Sequence, residues 1–254
     1  MSDVILQVRD LNKSFGGVVA TAHLDFDVQF GEIHAVIGPN GAGKTTFVAQ
    51  LAGMLSPDSG EIIFAGTEIG SMSAPERSHL GLARSFQITS VFPAFSALEN
   101  VILAIQAHAG HSFRFWKPAS TDADLVNPAR EILEQVGLGQ RSLSLAGNLA
   151  HGEQRQLEIA MALATEPKML LLDEPTAGMG AEESENMRQF LRRLKGEYSM
   201  LLIEHDMDTV FSLADRVTVL VYGRAIATGS PDEIRNNSEV RAAYLGEDEV
   251  QTDA

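Results

Sequence analysis

Gly38-Pro-Asn-Gly-Ala-Gly-Lys-Thr-Thr46 fits the pattern G-x-x-x-x-G-K-[ST], with Gly38, Gly43, Lys44 and Thr45 at its fixed positions. Phosphate oxygens need several donors converging at close range, more than side chains alone supply. A glycine-rich loop provides them by turning successive backbone N–H groups inward. The residues expected around the phosphates are Asn40, Gly41, Ala42, Gly43, Lys44, Thr45 and Thr46. Lys44 is placed to neutralise the β- and γ-phosphates, and the Thr45 hydroxyl to bind Mg²⁺. Upstream, Glu32-Ile-His-Ala-Val-Ile37 reads as a short buried strand. Downstream, residues 45–55 read as a helix whose N-terminal dipole faces the phosphates.

Working outward, Leu24-Asp-Phe-Asp-Val-Gln-Phe30 alternates apolar and polar residues, as a strand with one buried face does. Gly60-Glu-Ile-Ile-Phe-Ala-Gly66 is a second short strand between glycines, so an antiparallel β subdomain is expected beside the loop. Residues 91–147 turn helical in texture. Ser96-Ala-Leu-Glu99 forms a capping box before the apolar run 101–105. Asn127-Pro-Ala-Arg130 reads as the start of another helix, with Asn127 as cap and Pro128 in the first turn, ending near Gly137. His111-Ser-Phe-Arg-Phe-Trp-Lys-Pro118, mixing aromatic and basic residues, reads first as an inserted loop packing its rings on these helices and second as a patch for a membrane-embedded partner.

Beyond Gly147 the sheet pattern returns. Met169-Leu-Leu-Leu-Asp173 and Met200-Leu-Leu-Ile-Glu204 are continuous apolar runs, as central parallel strands buried on both faces require. Residues 216–229 read as a hairpin turning at Tyr222-Gly223, and Ser230-Pro-Asp-Glu233 caps a further helix. The fold class is therefore α/β, a P-loop core of mostly parallel sheet flanked by helices. One domain is expected over residues 1–246, its core in 1–90 and 160–229. Residues 91–159 form a helical subdomain, 230–246 a helical extension and 247–254 an acidic tail.

Composition sets the boundaries. The 254 residues are 44% hydrophobic, enough for a packed core, yet no run of some 18 apolar residues suggests a membrane span. With no basic n-region the N-terminus does not read as a signal peptide, which favours a cytosolic chain. The chain has no cysteine, so disulfides, thiolate metal sites and cysteine nucleophiles are excluded. A formal charge of −15 argues against nucleic acid as a general partner.

A phosphate loop alone does not choose among nucleotide chemistries. Leu170-Leu-Leu-Asp-Glu174 places two carboxylates at the end of a buried strand. Asp173 suits the Mg²⁺ shell, and Glu174 is placed to polarise a water for in-line attack on the γ-phosphate. His205 follows the next apolar strand, and Gln87 lies where β texture gives way to helix, within reach of metal or water.

In this order, over nearly the whole chain, these motifs resemble the nucleotide-binding subunits of ATP-binding cassette (ABC) transporters. The resemblance implies ATP and Mg²⁺ as ligands, Phe15 stacked on adenine, Gln87 as Q-loop, Glu174 as catalytic glutamate and His205 as switch histidine. It makes Leu149-Ala-His-Gly-Glu153 the signature, acting on a partner's ATP through Leu149, Ala150, His151, Gly152 and Glu153. Two departures stand out: Ala150 replaces a serine, removing one hydroxyl contact to the γ-phosphate, and Gly180 replaces an aspartate.

The stretch Asn148–Ala160, with Phe15-Gly-Gly17, Arg84-Ser-Phe-Gln87, Glu204-His-Asp-Met207, Ala243-Tyr-Leu-Gly246 and the insert near residues 108–127, resembles the larger ATPase of branched-chain amino-acid importers. That resemblance implies a second ATPase, as heterodimer or homodimer, two polytopic membrane subunits, an extracytoplasmic solute-binding protein, and a peripheral place on the cytoplasmic face of the inner membrane. The alternatives are a lipopolysaccharide-export ATPase, which shares the terminal Tyr-Leu-Gly, and a soluble cassette ATPase.

Overall fold

The computed structural model describes residues 3–85, 91–109 and 122–248. Strands β1 (Val4–Phe15) and β2 (Val18–Gln29) form a long hairpin, and β3 (Ile33–Ile37) leads into helix α1 (Lys44–Leu51). Strands β4 (Ser59–Phe64) and β5 (Thr67–Glu68), helix α2 (Ala74–His79) and strand β6 (Leu82–Arg84) follow. Helices α3 (Ala97–His108), α4 (Ala123–Gln135) and α5 (His151–Leu163) come next, then β7 (Met169–Asp173), α6 (Ala181–Leu194) and β8 (Ser199–Ile203). The described chain closes with α7 (Met207–Leu213), the hairpin β9 (Arg216–Val221) and β10 (Arg224–Gly229), α8 (Pro231–Asn236) and α9 (Ser238–Asp248).

Two sheets result. One is antiparallel, in the order β2-β1-β4-β5; the other runs β10-β9-β3-β8-β7-β6, parallel throughout except at the β9–β10 hairpin. The central strands β3, β7 and β8 are buried at every residue, and alternate side chains enter different cores. Leu170, Leu172 and Leu202 pack with the helices, while Leu171, Leu201 and Ile203 pack with α1 and the antiparallel sheet. The absence of polar–apolar alternation in these runs follows from that sandwich.

Most expected helix boundaries hold. Ser96 accepts from the Glu99 amide and the Glu99 carboxylate accepts from the Ser96 amide at 2.8 Å, closing the capping box at α3. The same reciprocal pattern caps α8 through Ser230 and Glu233. The β9–β10 turn lies at Tyr222-Gly223, both with positive φ. The helix after the phosphate loop ends at Leu51, short of the expected residue 55. The chain turns there through Gly53 at φ +73°, and buried Arg77 donates to the carbonyls of Gln50 and Leu51 that end the helix.

Asn127 is not a helix cap. Helix α4 starts one turn earlier, with the Asp122 side chain accepting from the Asp124 amide, so Pro128 sits inside the helix. The missing proline N–H forfeits one bond near the N-terminus, a cost offset by burial of Ala129 and Leu133 on the helical core. The aromatic–basic stretch 111–118 and the residues from 249 onward lie outside the described residues.

Candidate functional site

The parallel register sets the site. Val36 in β3 and Asp173 in β7 both pair with Ile203 of the intervening β8, so the three strands end at one level. The phosphate loop leaves β3, Glu174 leaves β7 and His205 follows β8, all on the C-terminal edge where α/β sheets bind ligands. With strands about 4.8 Å apart, the loop strand and the Asp173 strand lie roughly 10 Å from each other.

The loop 38–43 can be built only with glycine at its two ends. A Cβ on Gly38 would lie 2.2 Å from the Leu220 carbonyl oxygen, and one on Gly43 2.1 Å from that of Ala20. The second approach ties the loop to the β1–β2 hairpin. The turn between β9 and β10 adds to this tie: Gly223 donates to Ala42 and accepts from Ala22, each at 2.9 Å. Lys44 donates to the carbonyls of Gly38 and Pro39, the latter at 3.0 Å, so its ammonium is held over the loop. Thr45 is exposed, and Asn40 and Gly41 form the exposed lip.

Phe15 ends β1 beside the Gly16-Gly17 turn of that same hairpin. Its ring is half exposed, with the Lys13 ammonium 5.7 Å from the centroid. A flat, accessible ring can take an aromatic base on its face.

Asp173 is buried and bonded at 3.0 Å to Arg84, the last residue of β6. Burial pushes its carboxyl above the ordinary carboxylate value, Arg84 pulls against this, and neighbouring Glu174 adds to the rise. Glu174 has φ +49° and donates its amide to the Ile203 carbonyl at 2.9 Å. Its carboxylate lies 3.6 Å from His205 Nδ1, and both side chains are open to solvent on their outer sides. Thr45 and Asp173 are hard oxygen donors. Among the described residues no three acidic or histidine side chains converge as a metal cage. That donor set suits Mg²⁺, which takes one or two protein oxygens and completes its shell with phosphate and water.

The stretch 149–153 begins α5. Leu149 is buried, Ala150 is the N-cap and offers no side-chain acceptor, and Glu153 accepts from the Ala150 amide at 2.9 Å and from Arg141 at 3.0 Å. The N-cap residue gives the first-turn amides no side-chain acceptor, while Glu153 takes the Ala150 amide, so those first-turn amides are the groups an anion would meet. Its first turn packs on the segment after Glu174: a Cβ on Gly178 would touch the His151 ring at 3.5 Å, and one on Gly152 would touch Glu183. Gly180 has become the N-cap of α6. Gln87 lies outside the described residues.

Arg84 and Glu204 were not anticipated as site residues. Glu204 is buried at the end of β8, accepting from the Thr176 amide at 3.0 Å and the Thr176 hydroxyl at 2.5 Å. Beside Arg84 a mostly apolar groove of about 420 Å³ opens, lined among others by Met54, Ala83, Ala104, Glu158 and Met161.

Comparison with known proteins places this geometry. The sequence model of the ABC transporter family matches residues 21–177, and a model described as branched-chain amino acid ATP-binding cassette transporter matches residues 226–250. The chain is 37% identical to BraF of Pseudomonas aeruginosa, a high-affinity branched-chain amino acid transport ATP-binding protein, over 97% of this chain and 100% of that one. It is 35% identical to LivG of Escherichia coli K12, described in the same words, with the same coverage. In structure it resembles MJ1267, an ATP-binding cassette of an ABC transporter in its ADP conformation, with a TM-score of 0.85 at 29% identity, covering 96% of this chain and 99% of that one. A nucleotide-free ATP-binding cassette gives a TM-score of 0.84 at 30% identity, covering 95% of this chain and 98% of that one. The chain belongs to the ABC transporter family, as an ATP-binding and ATP-hydrolysing subunit.

Proposed function

We propose that this chain is the ATPase of an importer for branched-chain or other hydrophobic amino acids, or a related small solute. The observation that carries the hydrolytic part is the shared strand edge, which sets Glu174 and His205 3.6 Å apart next to the phosphate loop. The amino-acid part draws on the likeness to BraF and LivG along the full chain and on the match of residues 226–250.

In this reading Phe15 stacks on adenine, residues 40–46 wrap the phosphates, and Lys44 leaves its loop carbonyls for the β- and γ-oxygens. Thr45, Asp173 and Gln87 would hold Mg²⁺, which would supply charge neutralisation at the phosphates. Glu174 orients and deprotonates the attacking water, and His205 holds the γ-phosphate side. Residues 149–153 complete a partner's site: the first-turn amides of α5 and the Gly152 backbone face that partner's phosphate, without the hydroxyl that serine would add. Each subunit is then half of two sites, and ATP favours the closed pairing over the open one.

The partners are a second ATPase, two polytopic membrane subunits and an extracytoplasmic solute-binding protein, which puts the chain on the cytoplasmic face of the membrane. Among the described residues no helix is long and apolar enough to cross a membrane. The groove beside Arg84, bordered by α3 and α5, is the seat for a loop of the membrane subunit, and residues 91–100 pass the movement on. Affinity purification of the tagged chain from native membranes tests this. Recovery of a second ATPase with two polytopic subunits supports the reading; recovery without membrane proteins contradicts its transport half.

A further inference from the structure

The hydrolytic residues assigned above sit on two separate turns, one after β7 and one after β8. Each turn is short, and Glu174 adopts a left-handed backbone that a non-glycine side chain disfavours. Something has to hold them in register. The backbone supplies one bond, from the Glu174 amide to the Ile203 carbonyl. The rest comes from a side chain that takes no part in the chemistry described so far.

Glu204 is a carboxylate with 1% of its surface exposed. Its Oε1 accepts from both the amide and the hydroxyl of Thr176, two residues after Glu174. Its Oε2 accepts from the His205 amide at 3.2 Å. Among the described residues the nearest basic group is the His205 imidazole, 4.0 Å from Oε2. A buried carboxylate without a lysine or arginine partner is costly, and three donors in fixed directions are what makes it tolerable. Those donors belong to the two turns that present Glu174 and His205. The segment it grips continues through Gly178, beside the His151 ring at the start of α5.

We infer that Glu204 is a positioning residue for hydrolysis: one carboxylate bonded to both turns fixes the Glu174–His205 pair relative to the phosphate loop. The inference rests on the reading of Glu174 and His205 given under Proposed function. It separates two properties that a general structural role would not. Nucleotide is held by the loop 38–46 and Phe15, and the hydrogen bonds of Glu204 go to Thr176 and His205 instead, so binding survives loss of the clamp while the chemical step does not.

Two variants test it without relying on one fold. In Glu204→Gln the amide oxygen still accepts from Thr176, but the amide nitrogen then meets the His205 N–H donor to donor, which pushes that turn away. Thr176→Val removes only the hydroxyl donor, and Thr176→Ser restores it. The expected result is a fall in kcat of about 10- to 100-fold in Glu204→Gln and a smaller one in Thr176→Val, with ATP affinity within about twofold of wild type. Thr176→Ser is expected to recover the wild-type rate, and the double variant Glu204→Gln/Thr176→Val to lose less than the product of the two single losses, because both act through one side chain. Wild-type kcat in both single variants, or ATP affinity falling in parallel with kcat, overturns the inference. If Glu204→Gln does not fold, the Thr176 pair decides by the same criteria. Glu174→Gln is run beside them: full activity there defeats the catalytic reading itself, whereas an inactive Glu174→Gln with active Thr176→Val and Glu204→Gln defeats only the clamp.

Discussion

Arg84 and Asp173 meet at 3.0 Å across the β6–β7 pair, both largely buried, so the carboxylate proposed for the metal shell carries a permanent counter-ion. The pairing decides how that carboxylate behaves before nucleotide arrives. Without a cation beside it, burial alone would favour the protonated form.

Arg84→Met is therefore expected to destabilise the nucleotide-free protein by about 3 kcal/mol, the usual loss when one partner of a buried pair is removed. Bound Mg²⁺ and ATP replace the missing charge, so the deficit in Tm shrinks when both are present. Thermal melts with and without them measure the difference; an equal deficit in both conditions would mean that Arg84 supports packing only.

His34 gives the fold a pH dependence of predictable sign. Its ring is buried, with Nδ1 on the Asp27 carbonyl and Nε2 on the Thr218 hydroxyl, each at 2.8 Å. Burial first, and the Arg216 charge second, lower its pKa from 6.5 to about 3. The folded state thus keeps it neutral where the unfolded chain takes up a proton. That contribution is complete above pH 6.5 and is lost as pH falls towards 3. The slope due to this residue approaches ~1.4 kcal/mol per pH unit through that window. Denaturant melts at several pH values should show a shallower slope in His34→Gln than in wild type.

Gly43→Ala should be costly at the site itself. The new methyl would lie 2.1 Å from the Ala20 carbonyl at a backbone φ of +100°, so either the loop or the β1–β2 hairpin must move. A loss of at least about 2 kcal/mol in stability is expected, with ATP affinity down about tenfold or more. Calorimetric titration with ATP reads the affinity; wild-type binding would show that the hairpin yields without disturbing the loop.

The sheet and the site edge were legible because their signals are local. Gly38–Thr46 declares its own turn chemistry, and the runs ending at Asp173 and Glu204 declare burial on two faces by lacking alternation. Helix starts were legible where a serine and a glutamate stand three apart, as at Ser96 and Ser230. Helix α2 carries the same pattern at Ser73 and Glu76, and there it went unread. Asn127-Pro128 misled because an N-cap and an early proline look alike in sequence whether the helix starts there or one turn before. Arg84 and Glu204 could not be found this way. Their partners lie 89 and 28 residues away, and only the parallel register brings them together. Phe15, by contrast, stays exposed at the end of its strand, so nothing in its packing marks it as a site residue and only the family resemblance singles it out.

The role proposed for Glu174 is to activate the water that attacks ATP, in a site built on the β3, β7 and β8 edge. The most direct measurement is Mg²⁺-dependent ATP hydrolysis by the chain assembled with its membrane partners, wild type against Glu174→Gln, with ATP binding measured on the same samples. With Glu174 in that role, hydrolysis falls about 100-fold or more in Glu174→Gln, ATP binding is retained and an ATP-bound closed pair accumulates. Wild-type turnover by Glu174→Gln would contradict it.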